Sequence, residues 1–219
     1  MSSKDWNKIY KKNLQVNRWP WSDLIRYFNI YLNKHSKKNM DVLELGSGTG
    51  PNAKFFFENN INYLGIEASS SGIQKSKKIY PDAKKHFICS DFTQSLISKK
   101  KYDLIFDRGS ITHNTLPNVI KTIDLVEKSL KKNGVFFGFD WFSTAHSEYK
   151  KGKFIKGKNT AVFFKGPLKN VGNVSFFNAK IIKRLFKKFK ILELTEKNYI
   201  TLKDNKYRSS FWIVIAKKK

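Results

Sequence analysis

Apolar positions follow two rhythms along the chain. From Ser22 they recur at Leu24, Tyr27, Phe28, Tyr31 and Leu32, the spacing that lays one stripe along a helix. Ser22, just after Trp19-Pro20-Trp21, is expected to cap it. Beyond residue 40 the rhythm shortens. Apolar runs bounded by polar residues or glycine occupy 41–45, 62–67, 86–90, 102–107 and 134–140, and helical candidates lie between them at 52–59, 70–79 and 117–131. The last of these carries Val119, Ile123, Val126 and Leu130 on one face, Pro117 in its first turn and Lys131, Lys132 and Gly134 at its end. Near-continuous apolar strands alternating with helices predict a parallel sheet covered on both faces.

The tail reads differently. A helix with Ile181, Ile182, Leu185, Phe186 and Phe189 precedes two strands, 190–200 and 209–216, joined through Asp204-Asn205 as an antiparallel hairpin. The sum is one doubly wound α/β domain with seven strands, mostly parallel, the last antiparallel, and helices on both faces. Within 1–219 we divide the chain into an N-terminal helical lid (1–35), a cofactor-binding half (36–140), an irregular acceptor-side loop (141–177) and the helix with its hairpin (178–219). A loop as long as 141–177 inside a compact domain is usually functional or mobile.

The sharpest motif is Glu44-Leu45-Gly46-Ser47-Gly48-Thr49-Gly50, where a strand runs into a glycine turn and then a helix beginning near Asn52. Such glycines allow a tight turn and close approach of a ligand, and the helix N-terminus beyond attracts anions. A nicotinamide-type G-x-G-x-x-G would need glycine at 51, which is Pro51. The G-x-G-x-G spacing behind an acid instead resembles motif I of class I S-adenosylmethionine-dependent methyltransferases. Further strand-end acids follow in order: Glu67, 23 residues after Glu44, then Asp91 in Cys-Ser-Asp-Phe and Asp107 in Phe-Asp-Arg-Gly-Ser. The resemblance covers residues 40–140 well and 178–216 in topology only. It implies S-adenosylmethionine as cofactor, with S-adenosylhomocysteine as product. The glycine turn with Ser47 and Asn52 would hold it, as would Glu67 with Ala68 at the ribose, Asp91 and Phe92 at the adenine, and Asp107 and Arg108 beyond.

The acceptor side is expected beyond the carboxyl ends of strands four and five. His113 is the first candidate for a base, followed by Asp140 and His146, because histidine titrates near neutrality. Trp6, Tyr10, Trp19, Trp21 and Trp141 are candidates for the acceptor wall, or equally for core packing. Asp107-Arg108-Gly109-Ser110 is not the Asn/Asp-Pro-Pro-Tyr signature of methyltransferases acting on exocyclic amines of bases.

Composition changes this picture in one respect. The formal net charge is +26, which ordinarily points to nucleic acid. Yet only Arg18, Arg26, Arg108, Arg184 and Arg208 among the 43 basic residues are arginine, the residue that forks onto phosphates and bases. Abundant Lys, Asn, Ile, Phe and Tyr match A/T-rich codon usage, so nucleic acid is disfavoured as a partner. The lone Cys89 leaves no disulfide framework and no cysteine-based metal site. The opening residues lack a secretory apolar core and no run is long enough to span a bilayer, so a cytoplasmic protein is expected. The expected activity is methyl transfer to oxygen or nitrogen of a small-molecule or glycan-type acceptor. An RNA methyltransferase and a non-catalytic S-adenosylmethionine-binding protein stay open as alternatives.

Overall fold

The computed structural model describes residues 3–32, 39–96, 100–155, 157, 159–201 and 203–219, without the side chains of 204–206. His35, the junction at 35/36 and the Asp204-Asn205 turn side chains therefore lie outside the described residues. Helices α1 (Ser3–Lys11) and α2 (Ser22–Tyr31) precede an alternation of β1 (Asp41–Leu45), α3 (Ala53–Glu58), β2 (Asn62–Glu67), α4 (Ser70–Ile79), β3 (Phe87–Cys89), β4 (Tyr102–Arg108), α5 (Leu116–Ser129) and β5 (Leu130–Phe142). Short strands β6 (Lys153–Ile155), β7 (Thr160–Val162) and β8 (Val174–Ser175) follow, then α6 (Ala179–Leu185), β9 (Phe189–Thr201) and β10 (Asp204–Lys218).

Seven strands form one sheet in the order β3-β2-β1-β4-β5-β10-β9. β1 pairs in parallel with β2 and with β4, β2 with β3, and β4 with β5. β10 runs antiparallel to both β5 and β9. Successive side chains on a strand point to opposite faces, and the two cores follow that rule. Val42, Leu104 and Phe106 pack with Leu24, Tyr27 and Phe28 of α2 and Phe56 of α3. Their neighbours Leu43 and Ile105 pack on the other face with Val119, Ile123 and Val126 of α5 and with Ile182.

Three local expectations are corrected. Ser22 is the first helical residue of α2, while Trp21 takes the cap position without a side-chain bond. Strand five continues past residue 140 to Phe142, and it bulges. Trp141 pairs with Trp212 but Gly138 with Val214, so two residues of β5 oppose one of β10 and Asp140 sits at φ 54, a backbone region aspartate tolerates better than most. Finally, 141–177 is not irregular: β6, β7 and β8 make an antiparallel sheet over a small core of Phe142, Ala161, Phe163, Val174 and Phe176. Aromatic partners distant in sequence build that core, so no local periodicity announced it.

Candidate active site

Chain order reverses about β1, whose neighbours are β2 and β4, and ligands of open α/β sheets bind at such a switch point, beyond the strands' carboxyl ends. A cleft of about 440 Å³ opens there, within the usual range for small-molecule sites. Its floor is the glycine turn. Gly46 and Gly48 lie at φ +72 and +55, and a Cβ on Gly46 would come within 2.2 Å of Ser110 Cβ, so only glycine fits. Gly50 closes the turn through its N–H to the Ser47 carbonyl (2.8 Å).

Two buried glutamates flank the floor. Glu67 accepts from the backbone N–H groups of Ser69 (2.7 Å) and Gly48 (3.1 Å), and burial raises its pKa against these bonds and that from Ala68. Glu44 accepts from Asn52 Nδ2 (2.7 Å) and from the Tyr63 hydroxyl. Burial pushes its pKa up to about 7. Asp107 is fully buried beneath the cleft, accepting from the Ile111 N–H (2.9 Å), Ser110 Oγ (3.0 Å) and Trp141 Nε1 (2.7 Å), with its pKa raised by burial to about 6. Its task in this geometry is to fix the turn after β4.

Helix α1 roofs the cleft. Asn7 Oδ1 accepts from Ser69 Oγ (2.7 Å) and from the Ser71 N–H (3.0 Å), tying α1 to the start of α4. Tyr10 is buried against Gly48 and Gly72. Its hydroxyl is held protonated, first by burial and then by Glu67 and Glu44. Trp6 meets His113 edge-to-face at 5.1 Å between centroids.

Arg108 and His113 line the same cleft as Glu67. Arg108 Nε binds Asp140 Oδ2 at 2.7 Å, the carboxylate re-aimed by the β5 bulge, and its guanidinium lies 3.7 Å from the centroid of the Trp21 ring. His113 Nδ1 lies 3.0 Å from the Asn173 carbonyl. A carbonyl only accepts, so Nδ1 carries the hydrogen and Nε2 the lone pair. Burial lowers the His113 pKa to about 4, so the ring is neutral at physiological pH.

Of the residues singled out in the sequence, Trp6, Tyr10, Trp21, Glu44, Gly46, Ser47, Gly48, Asn52, Glu67, Arg108 and His113 line this cleft. Asp140 reaches it through Arg108. Asp91 turns back to accept from the Thr93 N–H (2.9 Å), and Phe92 is buried behind Gly46. Gly50, Ala68 and Asp107 do not line it either, and three further residues lie away from it. Trp141 is buried in the core beside Phe136 and Phe177. Trp19 is 66% exposed and lines a different groove. His146 is buried among Phe142, Phe176 and Phe211, where its Nδ1 accepts from the Glu148 N–H (3.1 Å). Residues 13–17, with Asn13 and Gln15 at positive φ, also line the cleft and were missed, since an irregular linker has no periodic signal. Asn7 was missed for a different reason: its partners lie more than 60 residues away.

A glycine turn under a buried strand-end acid at the switch point defines an α/β domain of the cofactor-binding kind. The methyltransferase-domain family profile matches residues 17–190. The chain belongs to that family, within the class I S-adenosylmethionine-dependent superfamily whose seven-stranded sheet it shares. Two relatives match over 125 residues each: the malonyl-(acyl-carrier protein) O-methyltransferase of Acetivibrio thermocellus, 26% identical over 54% of this chain and 43% of that protein, and the ubiquinone biosynthesis O-methyltransferase of Pelagibacter ubique, 30% identical over 55% and 50%. The matched region thus spans half or less of these relatives. In fold the chain is similar to a methyltransferase from Methanosarcina mazei described as S-adenosylmethionine-dependent (TM-score 0.72, 16% identity, covering 91% of this chain and 98% of that one). Among the described residues no helix is long and apolar enough to cross a membrane.

The cleft fits the family's cofactor on its own geometry. The turn admits no Cβ at Gly46, and Glu67 is a buried acceptor on its edge. Trp6 Nε1 is a buried donor with no acceptor among the described residues, a position a ligand oxygen or nitrogen would satisfy.

Proposed function

We propose that this chain transfers a methyl group to an oxygen or nitrogen of a small-molecule or glycan-type acceptor. One observation carries the reading: His113 and Arg108 line the same cleft as Glu67 and the glycine turn, so the proposed cofactor-side and acceptor-side groups share one cleft. The two O-methyltransferase relatives favour an oxygen acceptor.

S-adenosylmethionine, when bound, supplies an already activated methyl group. The glycine turn, Ser47, Asn52 and Glu67 would hold it. The protein's remaining work is alignment, which in favourable cases contributes about 7–11 kcal/mol, and exclusion of water beneath α1. An acceptor hydroxyl must also lose its proton. His113 is our candidate for that: the Asn173 carbonyl holds the Nδ1 hydrogen, and Nε2 would take the proton. With a pKa of about 4 it is a weak base, so it acts as the methyl group moves and not beforehand. Arg108, fixed between Asp140 and Trp21, keeps its terminal N–H groups for an acceptor oxygen.

The test incubates purified protein with methyl-labelled S-adenosylmethionine and fractionated lysate, with and without RNase. Label is expected in a small-molecule or glycan fraction; RNase-sensitive label would replace this reading with RNA methylation. On the labelled fraction, His113→Ala is expected to lower kcat by about 10²–10⁴-fold with donor affinity nearly unchanged. A kcat within a few-fold of wild type removes His113 from the base role.

A further inference from the structure

A second groove, of about 700 Å³, adjoins the cleft, and Val16 lines both. Its apolar surface comes from Val16, Ile79, Tyr80 and Trp19, and its cations are Arg18, Lys54, Lys75 and Lys78. Among the described residues no carboxylate lines it. Glu58 is the acid at hand, paired with Lys54 at 3.5 Å through two exposed side chains, a contact that water screens. The contrast with the cleft is sharp, because there Arg108 is the one lysine or arginine among the lining residues.

Trp19 is exposed and yet held. Asn17 Oδ1 accepts from the N–H groups of Arg18 (2.8 Å) and Trp19 (3.3 Å), and Asn17 Nδ2 donates to the Trp19 carbonyl (3.0 Å). Pro20 follows, and the Trp21 N–H is fixed by Asn52 Oδ1 (3.1 Å). The indole stands with Lys54 Nζ 5.1 Å from its centroid. A large aromatic kept in water by a pinned turn is a stacking platform, since burial is what an unconstrained indole gains most from.

We propose that this groove binds the nucleoside diphosphate portion of the methyl acceptor, with the base on Trp19 and the phosphates among Arg18, Lys54, Lys75 and Lys78. The inference rests on the methyltransferase reading and deepens it by naming the acceptor class. A bare phosphate would use the cations but leave the displayed indole without purpose. An acyl chain would use the apolar floor but strand four cations. A single-stranded RNA needs successive aromatic platforms, and among the residues lining this groove Trp19 alone is an exposed aromatic. The wall between groove and cleft is residues 16–17, braced by Thr49 Oγ1 donating to the Asn17 carbonyl (3.4 Å). A group attached to the diphosphate crosses that wall toward His113.

Calorimetric titration with each of the four common nucleoside diphosphates tests this, on protein saturated with S-adenosylhomocysteine so that the cleft is filled. Stacking tolerates any base, so all four are expected to bind, each more tightly than pyrophosphate or the free nucleoside. Trp19→Ala is expected to weaken binding by about 5- to 150-fold, the range of one base–aromatic stack. Lys78→Glu should weaken it too, and both variants should keep the wild-type affinity for S-adenosylhomocysteine. The proposal is overturned if no nucleoside diphosphate outbinds pyrophosphate, if Trp19→Ala changes nothing, or if a short single-stranded RNA binds far more tightly than any of the four. Loss of S-adenosylhomocysteine binding by the wild-type protein would instead strike at the methyltransferase reading, and the groove titration, repeated without it, still reports on the groove.

Discussion

The glycine turn and the 143–177 insert stand on either side of His113 and are built by opposite means. The turn is local. The Gly50 N–H closes it on the Ser47 carbonyl, its three positive-φ glycines fall within five residues of sequence, and it lines the cleft directly. The insert is assembled from distant aromatics, and none of its described residues lines the cleft. It acts through others instead: the Asn173 carbonyl sets the His113 tautomer, and Ser175 Oγ donates to the Asn114 carbonyl (2.6 Å). The segment expected as an irregular acceptor-side loop therefore takes a supporting role. The roof is α1 with residues 13–17, and the insert is the buttress behind His113, the proposed base. On the proposed reading, cofactor binding and alignment of that base depend on separate parts of the molecule.

The largest effect expected from this division is at Gly46. Gly46→Val combines a left-handed backbone at φ +72 with a Cβ that would lie 2.2 Å from Ser110 Cβ. Neither backbone nor neighbour can give without opening the turn. Binding of S-adenosylhomocysteine, followed by calorimetry, should disappear, and thermal unfolding should show whether the β1–β4 seam is lost with it. Donor binding within a few-fold of wild type would mean the turn is more pliant than its geometry implies.

A smaller and separable effect is expected in the insert. Phe176 is fully buried between Phe142, Tyr149 and Phe163, so Phe176→Ala should cost about 3–5 kcal/mol where that core forms. Hydrogen exchange should rise across 143–177 and at 110–114, kcat should fall as His113 loses its anchor, and donor affinity should hold. If donor affinity falls in step with kcat, the two regions are one cooperative unit and the division drawn above fails.

The same contrast explains what could be read from the chain. β1, β2 and α4 match their expected limits residue for residue because strand-end acids, glycines and caps sit inside the elements they define; Ser69, for one, accepts from the Gly72 N–H at 3.1 Å. The insert's strands are two or three residues long, too short for any period. Tryptophan is legible as a large apolar residue, but its destination is not. Trp6, Trp19, Trp21 and Trp141 went respectively to the roof, an exposed groove, a cation–π stack and the core. The Glu44-to-Gly50 pattern predicted a glycine turn, and that turn lines the cleft, whereas Asn7 and residues 13–17 depend on contacts that no spacing encodes.

The smallest expected effect concerns Glu44, on the cofactor side, and its sign distinguishes it from His113. Burial is the first cause of its rise from 4.5 to about 7, with Asp107 and Glu67 adding to it and the Tyr63 and Asn52 hydrogen bonds working the other way. A folded-state pKa above the unfolded one means the native protein holds a proton that the unfolded chain has released. The associated stability is fully present below pH 4.5 and is lost as pH rises through about 7, with a slope of at most about 1.4 kcal/mol per pH unit. His113 runs the opposite way. Its pKa falls from 6.5 to about 4, so its contribution is present above 6.5 and is lost as pH falls. Asp107, raised from 3.8 to about 6, shares the sign of Glu44, and the wild-type profile therefore sums opposing trends. Subtracting it from that of Glu44→Gln isolates one group: urea unfolding across this range should show the variant gaining on wild type as pH rises toward 7, then level. A difference that stays flat would mean that the hydrogen bonds from Tyr63 and Asn52 outweigh burial, and that Glu44 carries a full negative charge at neutral pH.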